Sequence, residues 1–255
     1  HPGGICLLVG HGGGGKSAAV LQWAAHAAAS GIPSLVFPLE DGVDEAYRRL
    51  SYMTAQTDAF RVSRGGASRA DLDATKTSGR AWRDTPLYLH GPAGVDYRTI
   101  SAVVQKYVAK HQVKAVFIDA FKDLGSDGSV ERDNAIVSTL AGMARRWNLF
   151  VILCHHVRKS PSGMDAKESW YIRKDDLRGT GRLWDDARMV MILQQKPNGL
   201  ADGDPFDFQL QVAKNNKGKS GFSVEVMRRE YLAWVELKQP EEVEKNNLDQ
   251  RADLL

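Results

Sequence analysis

Apolar positions along the chain gather into short runs, and between the runs apolar residues recur at helical spacing. Residues 5–10 (ICLLVG), 34–40 (SLVFPLE), 87–90 (LYLH), 115–119 (AVFID) and 149–154 (LFVILC) are such runs. A surface strand would alternate apolar with polar. These do not, so they predict strands buried on both faces. Residues 16–30 are Ala-rich, and residues 44–57, 97–111 and 130–147 repeat apolar positions three and four apart. That spacing predicts helices with one buried face. Strand and helix in alternation predict an α/β fold, a mainly parallel sheet with helices on both sides.

From about residue 189 the pattern changes. Residues 189–194, 206–213, 222–228 and 233–237 read as successive strands with no helix between them. With turns expected at 198–204 and 215–221, they predict an antiparallel C-terminal extension of the sheet. Residues 58–84 are polar and show no clear period. Residues 158–175 are polar with Pro and Gly and predict a loop. Residues 239–255 are highly charged and read as a tail or linker, which leaves 1–238 as the core.

Composition narrows this only a little. A length of 255 residues and a formal net charge of +3 permit nucleic-acid binding without demanding it. No run reaches about 18 apolar residues, so no membrane span is expected. Cys6 and Cys154 both lie in apolar runs and predict buried, reduced thiols in a cytoplasmic protein. His1 stands directly before a strand, so the chain is expected to be trimmed from a longer protein.

The chemistry begins at residues 10–17, GHGGGGKS, which fit G-x-x-x-x-G-K-[ST]. The glycines let backbone N–H groups turn inward around phosphate oxygens, and the following helix adds its positive end. Gly12, Gly13, Gly14, Gly15 and Ala18 would supply backbone contacts, Lys16 would reach the outer phosphates, and Ser17 would ligate Mg²⁺. Asp119 closes an apolar strand, where a second Mg²⁺ anchor is needed. Glu40 ends another strand at the carboxyl edge, where ligands bind in such sheets. It reads either as the base that orients attacking water or as a helix-capping carboxylate. His155 and His156 follow the strand 150–154, and His155 is the candidate sensor of the terminal phosphate. No Cys or His cluster has zinc-ligand spacing.

In this order the motifs resemble the RecA-like core of superfamily 4 hexameric helicases, the DnaB-like group, and most closely the plasmid RepA helicases. The resemblance rests on residues 10–17, on FPLED (37–41), FID (117–119) and LCHH (153–156). It rests further on DLRGTGRLWDDAR (176–188) and VAKNNKG (212–218). It implies a RecA-like P-loop NTPase with ATP and Mg²⁺ as cofactors and Glu40 as general base. It places Arg49 near the nucleotide and His155 where the group carries a phosphate-sensing glutamine. Arg178 would lie in the block that faces DNA; the basic residues Arg158 and Lys159 of the loop 158–175, and Arg182 of the stretch 176–182, are read from their charge as further DNA contacts. Arg188 matches an arginine finger reaching a neighbour's nucleotide, and Lys214 matches the start of the K-x-R-N-G finger motif. The sequence departs there: Asn216 stands where that motif has arginine, and asparagine offers no charged fork. The trans-acting cation is then Arg188, Lys214 or Lys217.

A site finished by a neighbour predicts a homo-oligomeric ring, most simply a hexamer. The resemblance implies an ATP-dependent DNA helicase stimulated by single-stranded DNA, in plasmid, phage or mobile-element replication. A primase or loader would be met through flanking parts. The other class is a recombinase-like or regulatory DNA-binding assembly that switches with ATP and does not unwind. A small-molecule kinase would need an Arg-rich lid and an acceptor pocket, and the C-terminal strands argue against it.

Overall fold

Strand β1 (Gly4–Gly10) is buried along its whole length, because the sheet around it is covered on both faces. A computed structural model of the chain describes residues 2–91, 95–157, 172, 182–195 and 207–236. The other strands are β2 (Ser34–Pro38), β3 (Leu87–Leu89), β4 (Ala115–Asp119), β5 (Phe150–His156), β6 (Met189–Gln195), β7 (Asp207–Asn215), β8 (Phe222–Arg228) and β9 (Trp234–Glu236). Among the described residues they form one nine-stranded sheet in the order β3-β2-β4-β5-β1-β6-β7-β8-β9.

The helices are α1 (Lys16–Ala29), α2 (Val43–Ala55), α3 (Ala59–Ser63), α4 (Arg69–Ala81), α5 (Ile100–His111), α6 (Val130–Arg146) and α7 (Arg182–Asp186). Alternate residues of β1 serve two cores. Ile5, Leu7 and Val9 pack with Ile136, Leu140 and Ile100 from α5 and α6. Cys6 and Leu8 pack with Val20, Leu21 and Ala24 of α1 and with Leu50 of α2. This period of two, satisfied on both sides, is why the strands read as continuous apolar runs.

Local chemistry sets the ends of α1. Alanine favours its interior. At its C-terminus Gly31 takes φ +79°, and the N–H groups of Gly31 and Ile32 donate to the carbonyls of Ala28 and Ala27, both at 2.9 Å. That pair of bonds is a Schellman stop, which requires the left-handed conformation glycine tolerates.

The structure corrects the sequence reading in three places. β6 runs parallel to β1, pairing Cys6 with Met189 through Val9 with Ile192. The antiparallel part therefore begins only at β7. Residues 58–84 hold α3, α4 and a 3-10 turn (Trp82–Asp84). Their helices are started by polar caps, Asp58 for α3 and a Ser68–Asp71 capping box for α4. Strand ends also differ: β2 stops at Pro38, two residues before Glu40, and β5 runs on through His155 and His156, which were expected to follow it. The loop expected at 158–175, the turn at 198–204 and the tail at 239–255 lie outside the described residues, residue 172 apart. Among the described residues no helix is long and apolar enough to cross a membrane.

Candidate nucleotide-binding site

The loop between β1 and α1 sits at the carboxyl end of the central strand. Gly13 and Gly15 have φ of +75° and +78°, which side chains other than glycine rarely adopt. Lys16 is only 4% exposed. Its ammonium donates to the carbonyls of Gly10 (3.0 Å) and His11 (2.8 Å). Burial lowers its pKa, offset by the neighbouring Cys154, Asp119 and Glu40.

Glu40 is placed by backbone. The N–H groups of Leu39 and Glu40 both donate to the carbonyl of Asp119, at 2.7 and 3.1 Å, which folds the turn after β2 over the end of β4. The capping alternative for Glu40 is overturned, because α2 is preceded by Gly42 and has no side-chain cap. Instead Oε1 of Glu40 accepts from Nζ of Lys122 at 2.8 Å, and Oε2 lies 3.2 Å from Nε2 of His156. Burial pushes the Glu40 carboxyl up, but the Lys122 and His156 hydrogen bonds outweigh it and leave the pKa lowered.

His156 bridges two candidate groups. Its Nδ1 is 3.4 Å from Nζ of Lys16 while Nε2 faces Glu40. His155, the residue singled out from sequence, is buried and meets the Phe121 ring edge-on at 5.1 Å. Both histidines line a cavity of about 520 Å³ with Lys122 and Asp127.

Asp119 is 4% exposed. Ser17 and the Cys154 thiol beside it hold its pKa down, but burial, the larger influence, raises it. Its Oδ1 is buried with no hydrogen-bond partner. An orphaned carboxylate oxygen beside a serine hydroxyl at the phosphate end of the cleft fits a hard divalent cation. Among the described residues no group of three or more His, Cys, Asp or Glu could hold a metal by itself. Mg²⁺ suits such a place, since it draws most of its ligands from phosphate and water. Both cysteines are free and buried, and burial pushes the Cys6 thiol up to about 12.

The cleft above the loop is about 590 Å³ and is lined by Lys16, Ser17, Glu40, Arg49, Arg228 and Leu232 among others. Arg49 faces it while paired with Asp41 (2.6 Å) and Glu45 (3.0 Å). The C-terminal strands close one side. Trp234 Nε1 donates to the Gly15 carbonyl at 3.3 Å, and its backbone exchanges hydrogen bonds with the Gln22 side chain.

The remaining candidates lie elsewhere. The Arg188 N–H donates to the Ile5 carbonyl at 2.9 Å, and its side chain lies against the Gly4 backbone. Ile5 and Gly10 are five steps apart along the strand, about 16 Å. Lys214 pairs with Val190 across β6–β7, and its ammonium donates to the carbonyls of Trp184 and Asp185 at the end of α7. Arg188 and Lys214 thus sit toward the edge of the sheet opposite this chain's own loop. Arg182 is paired with Asp186 at 3.1 Å on α7. Arg158, Lys159 and Arg178 lie outside the described residues.

Lys122, Arg228 and Trp234 were not singled out from sequence. Lys122 follows Asp119 by three residues, and that proximity was the available signal. Trp234 reaches Gly15 across more than two hundred residues, a pairing no local pattern encodes.

Similarity to known proteins agrees with this geometry. The replicative DNA helicase DnaB of Treponema pallidum (strain Nichols) is 23% identical over 212 residues, 81% of this chain and 46% of that protein. The replicative DNA helicase DnaB of Synechocystis sp. is 25% identical over 186 residues, 68% of this chain and 21% of that one. The chain therefore spans less than half the length of these curated relatives. Among solved structures, an ATPase domain matches with a TM-score of 0.81 and 19% identity, over 93% of this chain and 86% of that one. A DnaB-like replicative helicase studied with its interactions with primase matches with a TM-score of 0.80 and 19% identity, over 93% and 58%. These matches carry the RecA-like fold. The description "DnaB-like helicase C terminal domain" fits residues 1–235, and the chain belongs to that family.

Proposed function

We propose that the chain is the ATP-hydrolysing motor core of a DNA helicase whose sites are completed between subunits. The observation that carries this reading is the linked set Lys16–His156–Glu40–Lys122 at the mouth of the phosphate loop, with the unpartnered Asp119 oxygen beneath it. Lys16 and the N–H groups of Gly12–Ala18 bind the phosphates. Glu40, ionised and held by two donors, orients and deprotonates the attacking water. His156, which touches both Lys16 and Glu40, supports the phosphate-sensing role beside or in place of His155. Mg²⁺, held by Ser17 and Asp119, would neutralise charge on the phosphates.

Arg188 and Lys214 stand too far from their own loop to act in cis, which supports a trans role and a closed ring, most simply a hexamer. Arg158, Lys159, Arg178 and Arg182 are the proposed contacts to single-stranded DNA, made to the backbone and so weakened by salt. A primase or loader would be engaged through parts of the protein flanking this core. The test is ATP turnover with and without single-stranded DNA at low salt, followed by unwinding of a forked duplex. Turnover that ignores DNA would remove the helicase reading. DNA-stimulated turnover without unwinding would favour a switching assembly.

A further inference from the structure

The cleft over the phosphate loop is lined by side chains of two kinds. Lys16, Glu40, Asp41 and Glu45 are charged, whereas Phe60 and Val62 of α3 and Leu232 of the β8–β9 turn are apolar. Arg228 also lines it, its Nη1 3.2 Å from where a Cβ on Gly15 would lie.

Phe60 is 45% exposed, yet its backbone is held on two sides. The Asp58 carboxylate accepts from the N–H groups of Phe60 and Arg61, both at 2.9 Å. The N–H of Ala59 donates to the Glu230 carbonyl at 3.2 Å, tying α3 to the β8–β9 turn. Arg61 pairs with Asp71, a member of the capping box of α4. A fixed backbone that presents an aromatic ring to an open cleft is a preformed platform. Leu232 has φ +68°, a left-handed conformation rare for a branched residue. Its N–H donates to the Arg229 carbonyl at 2.8 Å, and the N–H of Arg229 donates to Ala233 at 2.8 Å. Such backbone states persist where the surroundings enforce them, and they cluster at ligand clamps.

We propose that Phe60 is the stacking platform for the nucleobase and that Leu232 closes on its other face. The inference rests on the nucleotide reading of the loop and adds where the base goes. With the phosphates pinned at Lys16, a flat ring system with apolar faces is the part of a nucleotide that suits two apolar side chains on separate elements. Stacking on an aromatic side chain uses the π-face of the base.

The test compares ADP with inorganic tripolyphosphate, which has the phosphates but no base. Their affinities would be measured by calorimetry on the wild-type chain and on Phe60→Ala, Phe60→Trp and Leu232→Gly. Phe60→Ala should weaken ADP roughly tenfold and leave tripolyphosphate unchanged. Phe60→Trp should hold ADP at the wild-type level. Leu232→Gly, which relieves the backbone as it removes the side chain, should also weaken ADP alone. Unchanged ADP affinity in Phe60→Ala overturns the proposal, and so does an equal loss for both ligands. A wild-type chain that binds neither ligand overturns the nucleotide reading itself, an outcome distinct from both.

Discussion

Lys122 and Glu40 lie 82 positions apart in sequence, and their charged atoms meet at 2.8 Å in front of the phosphate loop. The lysine comes from the 3-10 turn Phe121–Leu124 that follows β4, so the turn leaving the strand that carries Asp119 supplies the cation that holds Glu40. If Glu40 is the base, Glu40→Gln should lower kcat by about a hundredfold or more and leave ATP binding nearly intact. Lys122→Met leaves the base present but loosely held. It should cost about tenfold in kcat with little change in KM, and Lys122→Arg should recover much of the loss. Steady-state kinetics of the three variants check this.

His156 can satisfy its neighbours in one protonation state. An ammonium only donates, so Nδ1 facing Lys16 must be bare, and Nε2 facing the Glu40 carboxylate must carry the hydrogen. Burial first, and then the Lys16 charge, lower the His156 pKa below its ordinary 6.5. In the unfolded chain the ring takes up its proton as pH falls through 6.5, whereas in the folded chain it resists. This residue's contribution to stability is therefore complete above pH 6.5 and declines below it, down to the lowered folded value. Urea unfolding from pH 7.5 to 5.5 should show a steeper loss for the wild-type chain than for His156→Gln. Parallel losses would count against a lowered His156 pKa in the folded chain.

Two glycines of the loop should behave differently when replaced. A Cβ on Gly15 would stand 2.6 Å from Cζ2 of Trp234, on a backbone with φ +78°. A Cβ on Gly12 would meet nothing within 4 Å. Gly15→Ala should destabilise the nucleotide-free chain by about 1–3 kcal/mol, a fall in Tm of several degrees by differential scanning calorimetry. Gly12→Ala should stay within roughly 0.5 kcal/mol of wild type. Gly15→Ala with Trp234→Phe should regain the steric share of the loss and keep the conformational share.

How much of this was legible in sequence depended on range. β1, β4 and β5 announced themselves because burial on both faces leaves polar residues only at the carboxyl ends of β4 and β5, at Asp119, His155 and His156. The loop at 10–17 was legible because its glycines, lysine and serine are contiguous. Glu40 and Asp119 were readable as carboxylates at strand ends. What holds Glu40 was not, since Lys122 comes from the turn after β4 and His156 from the end of β5, and they meet it only after β2, β4 and β5 have paired. α3 and α4 were missed because polar caps, and not an apolar stripe, mark their starts. The direction of β6 was missed because β6 carries the same apolar pattern whether it pairs parallel or antiparallel. Choosing His155 over His156 was a question of which ring faces the loop, and only the geometry of the end of β5 addresses it.

The position of Arg188 leads to a mixing experiment. Its backbone is bonded to Ile5, about 16 Å along β1 from the loop. On the proposed reading, a cation at that distance serves nucleotide chemistry at a neighbour's site. Lys16→Ala chains lack a working loop but present Arg188, and Arg188→Ala chains keep the loop but lack the finger. Each alone should be nearly inactive. In a random mixture, a loop from the second kind meets a finger from the first at about one interface in four, so ATPase activity should return to roughly a quarter of wild type. Lys16→Ala mixed with Lys214→Ala asks the same of the second cation. If Arg188 only packs against Gly4, Arg188→Ala alone keeps its turnover and no complementation arises. If it acts in cis, both variants are dead and the mixture stays dead.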